Sequence, residues 1–384
     1  MIPDRVAGAL RAADRPVCAY VYDTAALRER ATAVRSALPG SALLLYAVKA
    51  NGHPAVAGTL ACSVDGLEVA SGGELAGALA AGTGLPDAVR IAFSGPGKTD
   101  AELAAAVAAG ATINVESELE LRRLAHVAGG RSARIALRVN RSSAALPGTH
   151  QMTGTATQFG IDEASLVEVA ALAGELPGIE LAGLHLHAVS NNLDAAAHAR
   201  FVRDAMSWAA GTGLPLQELN VGGGFGVDYT GARRFDLAAL RAGLAGLPAG
   251  GPRLVFEIGR YLAAAAGWYA AEVLDLKRTH GRWYAVLRGG THHFRLPAAW
   301  GYSHPFAVLP MAGWGYPFGR PEVAGVELDA AGELCTPRDV LCRGQRVDRV
   351  RVGDILVFGN AGAYGWDISH HDFLRHPYPQ MIVV

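Results

Sequence analysis

Lys49 closes the apolar run Leu43-Leu44-Leu45-Tyr46-Ala47-Val48, and an amine at the end of such a run is a candidate nucleophile for an aldehyde carbonyl. A strand buried on both faces leaves no room for a second charge, so desolvation is expected to favour the neutral amine. A strand-end lysine reaching solvent is the plainer alternative. Comparable runs end on Glu68 with Ser71, Ser94, Glu116, Arg138 with Asn140, His185 with His187, Gly222-Gly223-Gly224, and Glu257 with Arg260. The glycine triplet has no side chains to screen backbone amides from a phosphate, and Arg260 adds a fixed cation nearby; an ordinary turn beside a surface arginine is the alternative.

His185 and His187 alternate onto one strand face, where a flat imidazole can stack on a flat ligand or sit as a satisfied core histidine. Glu257 can either pair with Arg260 or hold a pyridine nitrogen in its protonated form. The two histidines with Glu68 or Glu116 would suit a metal, but no cysteine, aspartate or His-x-x-x-His partner is in register, so no metal is expected.

These residues need a scaffold that gathers strand ends. Eight short apolar runs, Leu43–Lys49, Gly66–Ser71, Val89–Gly95, Ala111–Glu116, Arg134–Asn140, Leu181–His187, Leu219–Gly223 and Leu254–Gly259, alternate with helical patterns such as Thr99–Ala109 and Ala195–Gly211. That alternation specifies an α/β fold, a parallel (β/α)8 TIM barrel whose site lies at the carboxyl ends of the strands. After Gly267 the helices stop. Ala270–Asp275, Arg282–Leu287, Arg349–Phe358 and Pro379–Val384 read as strands between glycine and proline turns, which predicts a second, sheet-rich domain.

A chain of 384 residues with 51% hydrophobic residues holds material for a large core and a smaller domain. The net charge of −1 and scattered basic residues offer no footprint for nucleic acid or an anionic membrane. The most apolar window, Tyr261–Leu274, is too short to span a bilayer, and a cytoplasmic protein is expected. The four cysteines lack zinc spacing; Cys18 and Cys62 are expected to pack in the core.

In order and at matching spacing, Tyr46-Ala47-Val48-Lys49-Ala50-Asn51, Ala70-Ser71-Gly72-Gly73-Glu74, His185-x-His187-x-x-Ser190, Gly222-Gly223-Gly224-Phe225, Glu257-x-Gly259-Arg260, Cys335 with Asp339, and Gly362-Ala363-Tyr364 resemble the pyridoxal-phosphate-dependent decarboxylases of the alanine racemase-like fold. That group contains diaminopimelate and ornithine decarboxylases. The resemblance implies pyridoxal 5'-phosphate held on Lys49 as a Schiff base, with His187 stacked on the ring and Glu257 at its nitrogen. It also implies a cofactor set of Glu68, Arg138, Ser190, Gly223, Gly224, Gly259, Arg260 and Tyr364. It places residues 26–266 in the barrel, and 1–25 with 267–384 in the second domain. Members form head-to-tail homodimers with shared active sites, which makes Cys335 a proton donor acting across the interface and puts Asp339 beside the substrate.

Thr336 stands where the family carries a carboxylate for a far ammonium group, and a neutral hydroxyl cannot balance that charge. Arg295, preceded by His292 and His293, instead supplies donors suited to an anionic tail, unless the loop is merely a solvated basic one. In this the chain most resembles the branch acting on citryl-diaminopropionate intermediates of carboxylate siderophore assembly. A decarboxylase of a free diamino acid, or an amino-acid racemase, is the alternative. Val189 and Ile258 depart from the usual glycine and proline beside the expected phosphate site.

Overall fold

The computed structural model describes residues 2–82, 89–142, 146–148, 150–248 and 250–384. The chain divides into two compact units, one of Arg28–Asp228 with Arg233–Leu262, the other of Met1–Leu27, Tyr229–Ala232 and Ala263–Val384. Among the described residues no helix is long and apolar enough to cross a membrane.

In the first unit the strands Leu43–Ala47, Gly66–Val69, Arg90–Phe93, Thr112–Val115, Ala133–Asn140, Ile179–His185, Glu218–Asn220 and Arg253–Ile258 form a closed parallel barrel. Closure runs through pairing of Thr112–Val115 with Ala133–Asn140 on one side and of Arg253–Ile258 with Leu43–Ala47 on the other. Leu45, Ala92 and Val255, all buried, pack together from three strands. Glu68, Arg138, His185, Asn220 and Glu257 lie within their strands, whereas Lys49 and His187 lie two residues beyond theirs, Lys49 in a short 3₁₀ turn over Val48–Ala50.

Helix starts explain some of the polar residues there. Ser71 and Ser117 accept hydrogen bonds from Glu74 and Glu120 amides as N-caps, and Thr99 with Glu102 forms a capping box. Ser71 is therefore used by its own helix. Cys62 likewise ends the helix Pro54–Ala61 and is exposed, whereas Cys18 is buried; only one of the two packs in a core.

The second unit holds an eight-stranded, mostly antiparallel sheet built on the long strand Gly267–Thr279. Cys18–Tyr22 pairs with that strand antiparallel and with Gln380–Val383 parallel, so the two chain ends meet in one sheet. Helix Asp4–Ala12 buries Val6, Ala7 and Leu10 against Val17, Ala19, Ala270, Ile355 and Val357. Its apolar positions one turn apart give one buried stripe. The run Arg349–Phe358 is two strands, Val340–Arg351 and Ile355–Phe358. Gly353, at φ +84°, makes the turn between them, and β-branched residues on both sides hide it in the sequence. Tyr229, between two barrel elements in sequence, stacks on Tyr302 at 5.4 Å within this second unit.

Candidate active site

Strand register brings Glu68 opposite Ala47, two residues before Lys49. The Lys49 ammonium donates to both Glu68 oxygens at 3.0 and 2.9 Å. Glu68 is 1% exposed in its side chain but Lys49 is 42% exposed. The expected desolvated lysine is thus corrected: a buried carboxylate holds a half-open amine. Arg138 is buried, donates to Glu116 at 2.9 Å and lies over the Phe159 ring at 4.5 Å. Glu116 in turn accepts the amides of Gly95 and Gly160, and Ser94 accepts from Asn114. Asn140 bonds Gly154 and Thr155 in the following loop.

Glu257 pairs with His185, not with Arg260: His185 Nε2 lies 3.1 Å from its Oε2. Asn220 donates to Oε1 at 2.5 Å, and Asn114 approaches the same oxygen at 3.5 Å. Burial, the largest influence, pushes the Glu257 carboxyl up; His185, Lys49 and Asn220 together reverse it and hold it down to about 2. Glu257 is therefore a carboxylate throughout the neutral range. His187 shows the opposite outcome. Burial and then the Lys49 and Arg138 charges push it well below the ordinary histidine value, so it is a neutral ring. Its Nδ1 accepts the Gly223 amide at 3.1 Å, which places the proton on Nε2.

The glycine loop is crowded in a way only glycine allows. A Cβ on Gly223 would lie 2.0 Å from the Glu257 carbonyl oxygen, and one on Gly224, at φ +96°, 2.5 Å from that of Val189. Gly259 faces Ala47 and Ala50 at about 3 Å in the same sense. Arg260 Nη2 reaches Ser190 Oγ at 3.5 Å, joining two of the predicted phosphate groups.

The sheet-rich unit holds the other predicted residues, and several differ from expectation. His292 and His293 are fully buried; burial first, then neighbouring positive charge, pushes them down to about 4 and about 2. They are neutral rings rather than cations. Asp339 is 2% exposed and accepts the amides of Thr291 and Leu334 at 2.6 and 2.8 Å, so its carboxylate ties two loops together instead of facing a ligand. Cys335 is exposed. Tyr364 is half-buried at φ +54°, a strained value for a tyrosine. Arg295 and Thr336 line a cavity of about 570 Å³ that also receives Arg338, Arg343, His370, Tyr302 and Ser303. Among the described residues lining it none is acidic. Deeper in this unit His292, Glu333 and His376 bring three donor atoms within 4.8 Å, but the Glu333 oxygen concerned already accepts from Arg288 and Gly289.

The family described as pyridoxal-dependent decarboxylase, pyridoxal binding domain, matches residues 24–264. This chain belongs to the pyridoxal-dependent decarboxylases. It is 40% identical, over 97% of its length and 95% of the relative's, to the 2-[(L-alanin-3-ylcarbamoyl)methyl]-2-hydroxybutanedioate decarboxylase of Staphylococcus aureus. It is 32% identical to the diaminopimelate decarboxylase of Aquifex aeolicus, over 95% of this chain and 86% of that one. The crystal structure of diaminopimelate decarboxylase from Helicobacter pylori complexed with L-lysine superposes with a TM-score of 0.85 at 25% identity, covering 96% of this chain and 92% of that one.

The decarboxylase uses pyridoxal phosphate, and the barrel residues fit it. Lys49 offers an amine that could join the aldehyde, Glu257 a carboxylate held ionised that could face the ring nitrogen, and the glycine loop backbone amides, unscreened by side chains, that could face the phosphate. Asn220 and Asn114 had no role in the sequence reading. Asn220 stands two residues before the glycine triplet, with Val221 between, and that proximity was the available signal.

Proposed function

We propose that this enzyme removes the α-carboxylate of an amino acid whose far end is a hydroxylated polycarboxylate, a conjugate like the one in the name of the Staphylococcus aureus relative. The observation that carries the reading is the cavity lined by Arg295, Arg338 and Arg343 with Thr336 and, among its described residues, no carboxylate. Such a lining neutralises carboxylates and leaves a far ammonium without a counterion.

Pyridoxal phosphate, when bound, supplies the sink for the electron pair left behind by departing carbon dioxide. In this reading Lys49 would hold the cofactor through its Nζ, Glu257 would keep the ring nitrogen protonated, and His187 and Arg138 would lie against the ring. Ser190, Gly223, Gly224, Arg260 and Tyr364 would hold the phosphate or its flank. A carboxylate at the Glu257 position favours loss of carbon dioxide over racemisation, because it deepens the sink. Cys335 returns a proton from Sγ to the substrate carbon, acting as a residue of the partner subunit in a homodimer. Mixing Lys49→Ala chains with Cys335→Ala chains should then restore about one quarter of wild-type activity. No recovery would place both residues in one subunit's site.

Carbon dioxide release and product mass decide the substrate. The loaded enzyme is given ornithine, lysine, diaminopimelate, 2,3-diaminopropionate and its citryl amide. Release from the citryl amide alone is expected. The second reading, a decarboxylase of a free diamino acid, is favoured by the likeness to diaminopimelate decarboxylases and predicts release from diaminopimelate or lysine instead. A change in chirality without gas would sink both.

A further inference from the structure

Glu257 is an awkward residue to leave alone. It is buried at 6% exposure on the last barrel strand, where an ionised carboxylate without partners would take up a proton or turn away. Two neighbouring strand ends prevent this. His185 closes Ile179–His185 and stands opposite Asn220 in the register, Asn220 closes Glu218–Asn220, and that strand lies directly between the other two.

We propose that His185 and Asn220 are positioning residues that clamp the Glu257 carboxylate in one plane and leave its remaining lone pair for the ring nitrogen of the cofactor. The inference rests on the reading of Glu257 as that nitrogen's partner. Lone-pair counting supports it: Asn220 and Asn114 address Oε1, while His185 takes one side of Oε2 and leaves its other side open. The amide of Asn220 cannot be flipped, because its Oδ1 accepts the Gly222 amide at 2.9 Å and its Nδ2 must therefore face Glu257. Asn220 thereby joins the first glycine of the loop to the carboxylate. His185 is 1% exposed and among the described residues its Nδ1 has no hydrogen-bond partner, so Glu257 is the contact that fixes the ring's polar edge.

The test reads the ring nitrogen itself. Enzyme loaded with ¹⁵N-labelled pyridoxal phosphate is compared by nitrogen NMR at one pH as wild type, Glu257→Gln, His185→Leu and His185→Gln. Glu257→Gln should move the signal to the unprotonated position. His185→Leu should move it most of that way and lower kcat about tenfold or more with KM little changed. His185→Gln, which restores a neutral N–H donor, should lie between. If His185→Leu does not retain cofactor, the glutamine variant carries the test. Wild-type shift and kcat in the His185 variants, beside a displaced signal in Glu257→Gln, overturn the clamp alone. An unmoved signal in Glu257→Gln overturns the reading of Glu257 on which it rests.

Discussion

At the carboxyl end of the barrel, polar groups are paired in fixed geometry: Lys49 with Glu68, Arg138 with Glu116, His185 with Glu257. In the cavity of the sheet-rich unit Arg295 and Arg338 stand exposed on loops, and Arg343 makes only a loose 3.8 Å approach to Asp329. The first arrangement sets protonation states and holds them, because each group is anchored on or just beyond a strand whose register is fixed on both sides. The second can accept a different anion for the cost of a few side chains. On the proposed reading, the chemistry shared with diaminopimelate decarboxylases would belong to the rigid part, and the discrimination between substrates to the adaptable one.

Substitutions in the two regions should fail differently. Lys49→Ala should lower turnover by about four orders of magnitude, read by single-turnover carbon dioxide release, and strand the buried Glu68 without its partner. A loss confined to KM would break the contrast. Gly223→Ala should weaken cofactor binding by about tenfold or more, because its Cβ lands 2.0 Å from the Glu257 carbonyl oxygen and the loop must move. Equilibrium dialysis of the cofactor checks this. Arg338→Ala should raise KM about tenfold with kcat within about twofold, the mark of a group that binds a remote part of the substrate equally in ground and transition states. A fall in kcat instead would move Arg338 into the chemical site.

The smallest effect concerns stability. His198 is fully buried against Phe201, Phe225 and Phe235, and burial pushes it down to about 4. The unfolded chain takes up this proton below about 6.5, the folded chain only near 4. Stability present above pH 6.5 is therefore lost as pH falls toward 4, by about 3 kcal/mol at most. His198→Leu should flatten that decline in denaturant titrations of the cofactor-free protein. An unchanged slope would assign the pH dependence to other groups.

The barrel was legible because strands buried on both faces write themselves as unbroken apolar runs that alternate with helical patterns. Lys49, Glu257 and Arg260 could be singled out as polar residues that such runs do not need. Solvent exposure could not be read locally. Lys49 lies two residues past its strand and is half open, while His292 and His293, in a polar-looking loop, are sealed and neutral. Asp339 was misjudged for a related reason: an aspartate that binds backbone amides and one that faces a ligand look alike in sequence. The division of Val340–Arg351 from Ile355–Phe358 rests on one glycine with positive φ, which hydropathy does not register.

Tyr229–Ala232 leaves the barrel sequence, joins the sheet-rich unit, and hands the chain back at Arg233. The backbone therefore passes from one unit to the other at four places, and no single cut separates them. A protease nicking the chain once leaves both pieces entangled in the other's fold, and a gene fusion that borrowed the barrel alone would carry an orphaned tyrosine meant to stack on Tyr302. Recombination between relatives should succeed only where all four crossings are exchanged together, which makes this enzyme inherit as a whole.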